Sequence, residues 1–248
     1  MDTTSVSIAE RIAGVQAAIE HACQRAGRSP ESVTLIAVSK THPPDRIVEA
    51  VRAGLRRFGE NRVEEAIPKM AAVSELVDEP VEWHMIGHVQ SRKARYVTAD
   101  FALLHSLDSL KLAGRLNRAL TEQGRVLDVL LEVNVSGEET KHGWDAYNWQ
   151  ERAAARRALW DDVAHILALP GLRVRGLMTM APIVDDPEDA RPVFAALRTL
   201  RDALANDFPM ATWDHLSMGM TDDYPVAIEE GATLVRIGRA IFGPRDNL

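Results

Sequence analysis

The 248-residue chain alternates between two hydrophobic periods, a short apolar and β-branched run followed by a helix-spaced segment, about eight times along its length. The runs are Val33 to Ser39, Arg57 to Gly59, Val81 to Ile86, Phe101 to Ser106, Val126 to Val135, Val174 to Met180, Thr212 to Met218 and Thr233 to Ile237. Helices are expected between them. One starts at Pro43-Pro44 and runs to Gly54; others run from Asn61, from Ser91, from Asp108 to Gln123, from Trp149 to Leu169, from Pro187 to Asn206 and from Asp223 to Glu230. A further helix precedes them all, Ser7 to Arg25, with Ile8, Ile12, Val15, Ile19 and Cys23 about a turn apart and Gly27 as its stop. The rhythm predicts an α/β protein, a single TIM-type (β/α)8 barrel with an extra N-terminal helix, because a doubly wound open sheet generally needs fewer strands. No Pro/Gly/Ser-rich linker interrupts it, so residues 1–248 read as one domain. Ser136 to Asn148, the longest polar connection, is expected as a loop over the barrel mouth.

Charge and cysteine content remove several function classes. A net charge of −7 and a pI near 5.6 give no global positive field for nucleic acid or anionic membranes. The single cysteine, Cys23, excludes an intramolecular disulfide and a multi-thiolate metal site, and fits a reducing cytoplasm. The N-terminal region lacks the pattern of a signal peptide, and no stretch approaches the ~20 apolar residues needed to cross a bilayer. The expectation is a cytoplasmic monomer.

In a parallel barrel the C-terminal ends of the strands share one mouth, so their last residues form one set. That set holds Lys40, Asn61, His84, Asn134, Met178, Ser217 to Gly219 and Arg236 to Arg239. Lys40 ends the run Leu35-Ile36-Ala37-Val38-Ser39. On the surface it would be an ordinary solvated cation; packed into the mouth it would lose hydration and favour the neutral amine that attacks an aldehyde. Arg236 lies between Val235 and Ile237 and needs a partner there. Two are open: a barrel carboxylate, or a pyridine ring nitrogen, where a permanent guanidinium disfavours ring protonation. Gly238-Arg239 and Ser217-Met218-Gly219-Met220 offer glycine-rich backbone where this fold often holds a phosphate. Lysine, arginine and phosphate site together suggest pyridoxal 5'-phosphate. His84 and His88 do not point at one ion by their spacing, and no metal is expected. Lys141-His142-Gly143 is expected to be a loop segment, either solvated or lying over the cofactor.

The blocks LIAVSK, FGENRVEEAIPK, WHMIGHVQSRKAR, HSLDSLKLAGRLN, LLEVNVSGEETKHGW, GLMTMAP and LSMGMTDDYPVAIEEGATLVRIGRAIFG occur in order over nearly the whole chain. With them the sequence resembles the pyridoxal phosphate homeostasis proteins, single-domain relatives of the N-terminal barrel of alanine racemase. The resemblance implies that Lys40 is the Schiff-base lysine and that Arg236 meets the pyridine nitrogen. It puts Ser217, Gly238 and Arg239 at the phosphate, with Asn61, Met218 and Gly219 lining the site. Two positions depart from the pattern: many relatives have proline at the place of His88 and a small hydroxyl residue at that of Arg239. Arg239 therefore contacts phosphate through its amide alone or adds its guanidinium.

Alanine racemase sets a lysine against a tyrosine from a second domain, and two-base racemisation needs such opposed proton carriers. This chain ends five residues after Gly243, and Tyr96, Tyr147 and Tyr224 lie in no equivalent block. The resemblance thus implies a carrier that holds the cofactor as a lysine aldimine and serves vitamin B6 and amino-acid homeostasis, with pyridoxal phosphate-dependent enzymes as acceptors and without efficient racemase activity. The alternatives are a pyridoxal phosphate-dependent racemase or related enzyme, and a sugar-phosphate enzyme whose Lys40 condenses with substrate.

Overall fold

The computed structural model describes residues 6–244, so the two ends of the expected 1–248 domain lie outside the described residues. Helix α1 (Ile8–Arg25) is started by a capping box in which Ser7 and Glu10 exchange hydrogen bonds, and it buries the predicted stripe of Ile8, Ile12, Val15, Ile19 and Cys23. Then come β1 (Thr34–Val38), α2 (Pro44–Arg52), β2 (Arg57–Glu60), α3 (Val63–Ser74), β3 (Glu82–Met85), a 3-10 turn at Ser91–Lys93 and α4 (Ala94–Asp100). The second half runs β4 (Leu103–Leu107), α5 (Leu110–Glu122), β5 (Leu127–Asn134), β6 (Trp144–Asp145), α6 (Ala153–Leu167), β7 (Leu172–Met178) and α7 (Arg191–Asp207). It closes with β8 (His215–Ser217), α8 (Tyr224–Glu229), β9 (Leu234–Ile237) and the single turn α9 (Arg239–Phe242).

Eight parallel strands close on themselves in the order β1-β2-β3-β4-β5-β7-β8-β9, with β9 returning to β1 through pairs such as Ile36 with Arg236. The barrel with its N-terminal helix is as the sequence predicts. Three details differ. The connection after β5 is not all loop: Trp144–Asp145 adds a two-residue strand to the mouth end of β5, pairing with Val133 and Asn134. Helix α6 begins at Ala153 rather than Trp149, because Trp149 is buried against Trp160 with ring centroids 5.3 Å apart. The helices expected from Ser91 and from Pro187 both open as 3-10 turns, which lead into α4 at Ala94 and α7 at Arg191.

Two kinds of residue fill the barrel. Ile36, Leu103, Leu130, Met178 and Leu234 form an apolar cluster separate from the main core between sheet and helices. Buried beside it are the polar side chains His84, His105, Glu132, Ser217 and Arg236. Outside the barrel, α1 packs on α8 and α9, where Arg25 meets Glu229 at 2.7 Å and Arg28 donates to the Ile228 carbonyl at 2.6 Å. Among the described residues no helix is long and apolar enough to cross a membrane.

Candidate functional site

Lys40 leaves β1 at the barrel mouth, and the peptide groups on both sides of it are tied down. The Ser39 carbonyl accepts from Lys69 Nζ at 2.9 Å, the Ser39 hydroxyl donates to Glu60 Oε1 at 2.7 Å, and the Thr41 amide donates to Glu65 Oε1 at 2.5 Å. Lys69 Nζ, from α3, bridges Glu60 at 2.8 Å and Glu65 at 2.9 Å. Thr41 itself has φ +68°, a left-handed conformation that a β-branched residue adopts only where its surroundings impose it. The backbone on both sides of the lysine is thus fixed. Burial pushes the Glu60 carboxyl up, partly offset by Lys69 and Ser39. In Glu65 partial burial acts in the same direction but is outweighed by Lys69 and the Thr41 amide, so its carboxyl titrates lower than usual.

Arg236 is level with Ile36 on the strand beside that of Lys40 and is only 5% exposed. It donates from Nη1 to the Ser217 hydroxyl at 2.6 Å and from Nη2 to the Thr179 carbonyl at 2.9 Å. Of the two partners open to it from sequence, a barrel carboxylate is not the one found among the described residues. Burial lowers its pKa to about 10, with Asp223 and Glu132 opposing that shift. Glu132, 3% exposed on β5, is raised to about 7 by burial and by Asp108, and its Oε2 has no hydrogen-bond partner.

The Ser217 hydroxyl, expected at a phosphate, contacts Arg236 and His105. The side chain is fully buried, accepts from Arg236 at 2.6 Å and lies 2.8 Å from His105 Nδ1, so it helps to hold the guanidinium. The backbone after it turns as the glycine-rich reading requires. Gly219 has φ +92°, and a Cβ there would lie 2.7 Å from the Ala227 Cβ and 2.9 Å from the Tyr224 Cα. The Gly219 carbonyl accepts from the Arg236 amide at 3.0 Å, and Asp223 Oδ1 holds the Met220 amide at 2.6 Å. Met218 is wholly buried. Gly238 brings its backbone against Val38, whose carbonyl would be 3.3 Å from an added Cβ. The Arg239 guanidinium is exposed and paired with Asp222.

Asn61 lines a cleft of about 170 Å³ with Met85, His88 and Lys93, and its backbone packs so closely on Gly87 that any side chain at 87 would collide with it. Asn134 closes its own loop, accepting from the Gly137 amide and donating to the Glu138 carbonyl. Met178 sits in the apolar barrel cluster, and His84 lies inside the barrel, 2.8 Å from His105. His88 turns away from His84, bonding Asp108 at 2.7 Å and stacking on His142 at 4.6 Å, so the loop containing Lys141 folds back over the β3 side of the mouth.

Sequence reasoning missed Glu60, Glu65, Lys69, His105, Glu132 and Asp223. For Lys69 a signal existed, since it shares a helix face with Ala66 and Val73, both buried.

The family model described as the N-terminal domain of alanine racemase matches residues 15–246. A pyridoxal phosphate homeostasis protein of Aquifex aeolicus is 44% identical over 236 residues, covering 95% of this chain and 97% of its own. That of Escherichia coli K12 is 42% identical over 243 residues, covering 96% and 97%. PipY of Synechococcus elongatus, solved with pyridoxal phosphate bound, superposes with TM-score 0.81 at 38% identity, covering 96% of this chain and all of its own. An alanine racemase of Clostridium difficile, at 9% identity and TM-score 0.64, shares the fold over 91% of this chain and 55% of its own. With an arginine, a lysine and a glycine turn at one barrel mouth and relatives matched end to end, the chain belongs to the pyridoxal phosphate homeostasis protein family.

Proposed function

We propose that the protein binds pyridoxal 5'-phosphate as a carrier in vitamin B6 and amino-acid homeostasis, within one barrel domain. The carrying observation is the buried Arg236 guanidinium, whose protein hydrogen bonds go to a hydroxyl and a carbonyl. A buried cation bonded to neutral groups suits a neutral acceptor such as an unprotonated pyridine nitrogen. The bound group would supply an aldehyde conjugated to that ring. Lys40 is the residue placed to condense with it, its amine forming the C=N bond with release of water. Gly219, Met218, Gly238 and the Arg239 backbone would border the phosphate, Asn61 would line the open side, and Ser217 would act by orienting Arg236. Arg239 keeps its guanidinium on Asp222.

Catalysis of racemisation has little support in the side chains. Tyr96 accepts a hydrogen bond from Arg95 on α4, Tyr147 packs against Gly137, and Tyr224 is buried with its phenol pushed up by desolvation. None of these settings suits a proton carrier opposed to Lys40. PipY with bound pyridoxal phosphate favours this reading over a sugar-phosphate enzyme. Holo-protein reduced with borohydride should carry the cofactor on the Lys40 peptide and lose its near-visible band in Lys40→Ala. A colourless wild type, or a label mapped to another lysine, overturns the assignment. Sustained turnover of single-enantiomer amino acids would make the protein a racemase instead.

A further inference from the structure

A chain of four short hydrogen bonds crosses the barrel beneath the proposed cofactor site. Glu82, the first residue of β3, lies 2.7 Å from His84 Nε2; His84 Nδ1 lies 2.8 Å from His105 Nε2; His105 Nδ1 lies 2.8 Å from Ser217 Oγ; and Ser217 accepts from Arg236 at 2.6 Å. β4 and β8 are not neighbours, so the His105 to Ser217 link spans the interior. The three middle side chains are buried, whereas Glu82 is 43% exposed at the N-terminal rim.

With both imidazoles neutral, the carboxylate end fixes the direction of every bond. Arginine can only donate and an ionised carboxylate can only accept. Ser217 therefore passes its hydrogen to His105 Nδ1, His105 donates from Nε2 to His84 Nδ1, and His84 donates from Nε2 to Glu82. Both imidazoles are neutral in this state. Adding one proton to His84 leaves it no acceptor nitrogen, so His105 Nε2 must accept and its single hydrogen moves to Nδ1. Ser217 then receives two donors, Arg236 and His105, and loses the acceptor for its own hydroxyl. A protonation at one rim thereby reverses the hydrogen bond next to the guanidinium.

We propose that His105 is a positioning residue for Arg236, and that the Glu82, His84, His105 and Ser217 relay carries the protonation state of His84 to the guanidinium at the barrel mouth. This rests on the reading of Arg236 as the partner of the ring nitrogen. The groups facing His84 are Glu82 with its neighbour Arg57, His105, and His215 of β8, which sits among Arg175, Asp128 and Asp214. Facing His105 are His84, His215 and Arg236. Burial, reinforced by Arg236 and by charge on His84 or His215, holds His105 well below the usual imidazole range. His84 bonding likewise lowers the Glu82 carboxyl, which keeps the rim end an acceptor.

Two measurements decide the matter. In apo-protein carrying 15N-labelled imidazoles, His105 should change from Nε2–H to Nδ1–H over the pH range in which His84 titrates. Glu82→Gln, at the exposed rim, should move both transitions to lower pH by about one unit, since a carboxylate partner is lost. A His105 tautomer that stays constant while His84 titrates overturns the relay. With pyridoxal phosphate added, the absorption maximum and affinity should follow the same transition. His105→Leu should weaken binding about tenfold, near the upper worth of a hydrogen bond between neutral groups, and abolish that pH dependence. His105→Gln should restore affinity but not pH dependence. Equal weakening at every pH, or a variant that keeps the wild-type profile, reduces His105 to packing. If wild type forms no band at all, the cofactor reading fails, while the imidazole spectra still decide the relay.

Discussion

Two buried polar clusters flank the proposed site, and they are built on opposite electrostatic plans. Beside Lys40, Lys69 is held by two carboxylates, Glu60 and Glu65, so the charges answer one another within the protein. Inside the barrel, Arg236 is bonded to a hydroxyl and a carbonyl, and its nearest influential carboxyl groups, Glu132 and Asp223, are both raised by burial. The first arrangement braces backbone, with Glu60 Oε2 left as its one buried oxygen lacking a hydrogen-bond partner among the described residues. The second holds one cation in place with uncharged groups, which suits a cation reserved for a ligand.

Removing the cation should therefore do opposite things in the two places. Lys69→Met leaves Glu60 and Glu65 without their shared partner and should cost about 3–5 kcal/mol in urea unfolding, and it should loosen the Lys40 turn as well. Glu132→Gln tests the barrel cluster by pH. The folded-state pKa is raised from 4.5 to about 7, so the protonated group's contribution is fully present below pH 4.5 and is lost as pH rises through 7. Wild type should lose roughly 3 kcal/mol across that window relative to the glutamine variant. Gly219→Ala, which forces a Cβ against Ala227 and Tyr224 at positive φ, should cost about 2 kcal/mol and weaken pyridoxal phosphate binding. Smallest of all, Arg236→Met should change stability by less than about 1 kcal/mol, because the desolvation of a buried charge disappears with it. The same variant should still alter the spectrum of added pyridoxal phosphate. A loss as large as that of Lys69→Met would show that both clusters serve the fold alone.

The barrel was legible because alternation of period leaves little choice of architecture, and strand and helix boundaries mostly followed from Pro, Gly and β-branched residues. Lys40 and Arg236 stood out as candidates because charges lay at or inside apolar runs, and Arg236 is buried as such a position requires. The contacts of Ser217 were not legible: a strand residue's inward or outward direction depends on register, and β8 turns it towards Arg236. His105 and Glu132 were invisible for the same reason, since a lone His or Glu in a strand carries no sign of what stands across a barrel. The short strand Trp144–Asp145 was missed because its pairing depends on the exposed end of β5, not on two residues of sequence.

Lys40 follows the first strand and Arg236 belongs to the last, and the two strands are joined side by side while α1 clamps the last helical turns from outside. No shorter intermediate of synthesis owns both halves of the grip. In the proposed reading, Lys40 and Arg236 come to act on one vitamer only after the first and last strands have been sewn together.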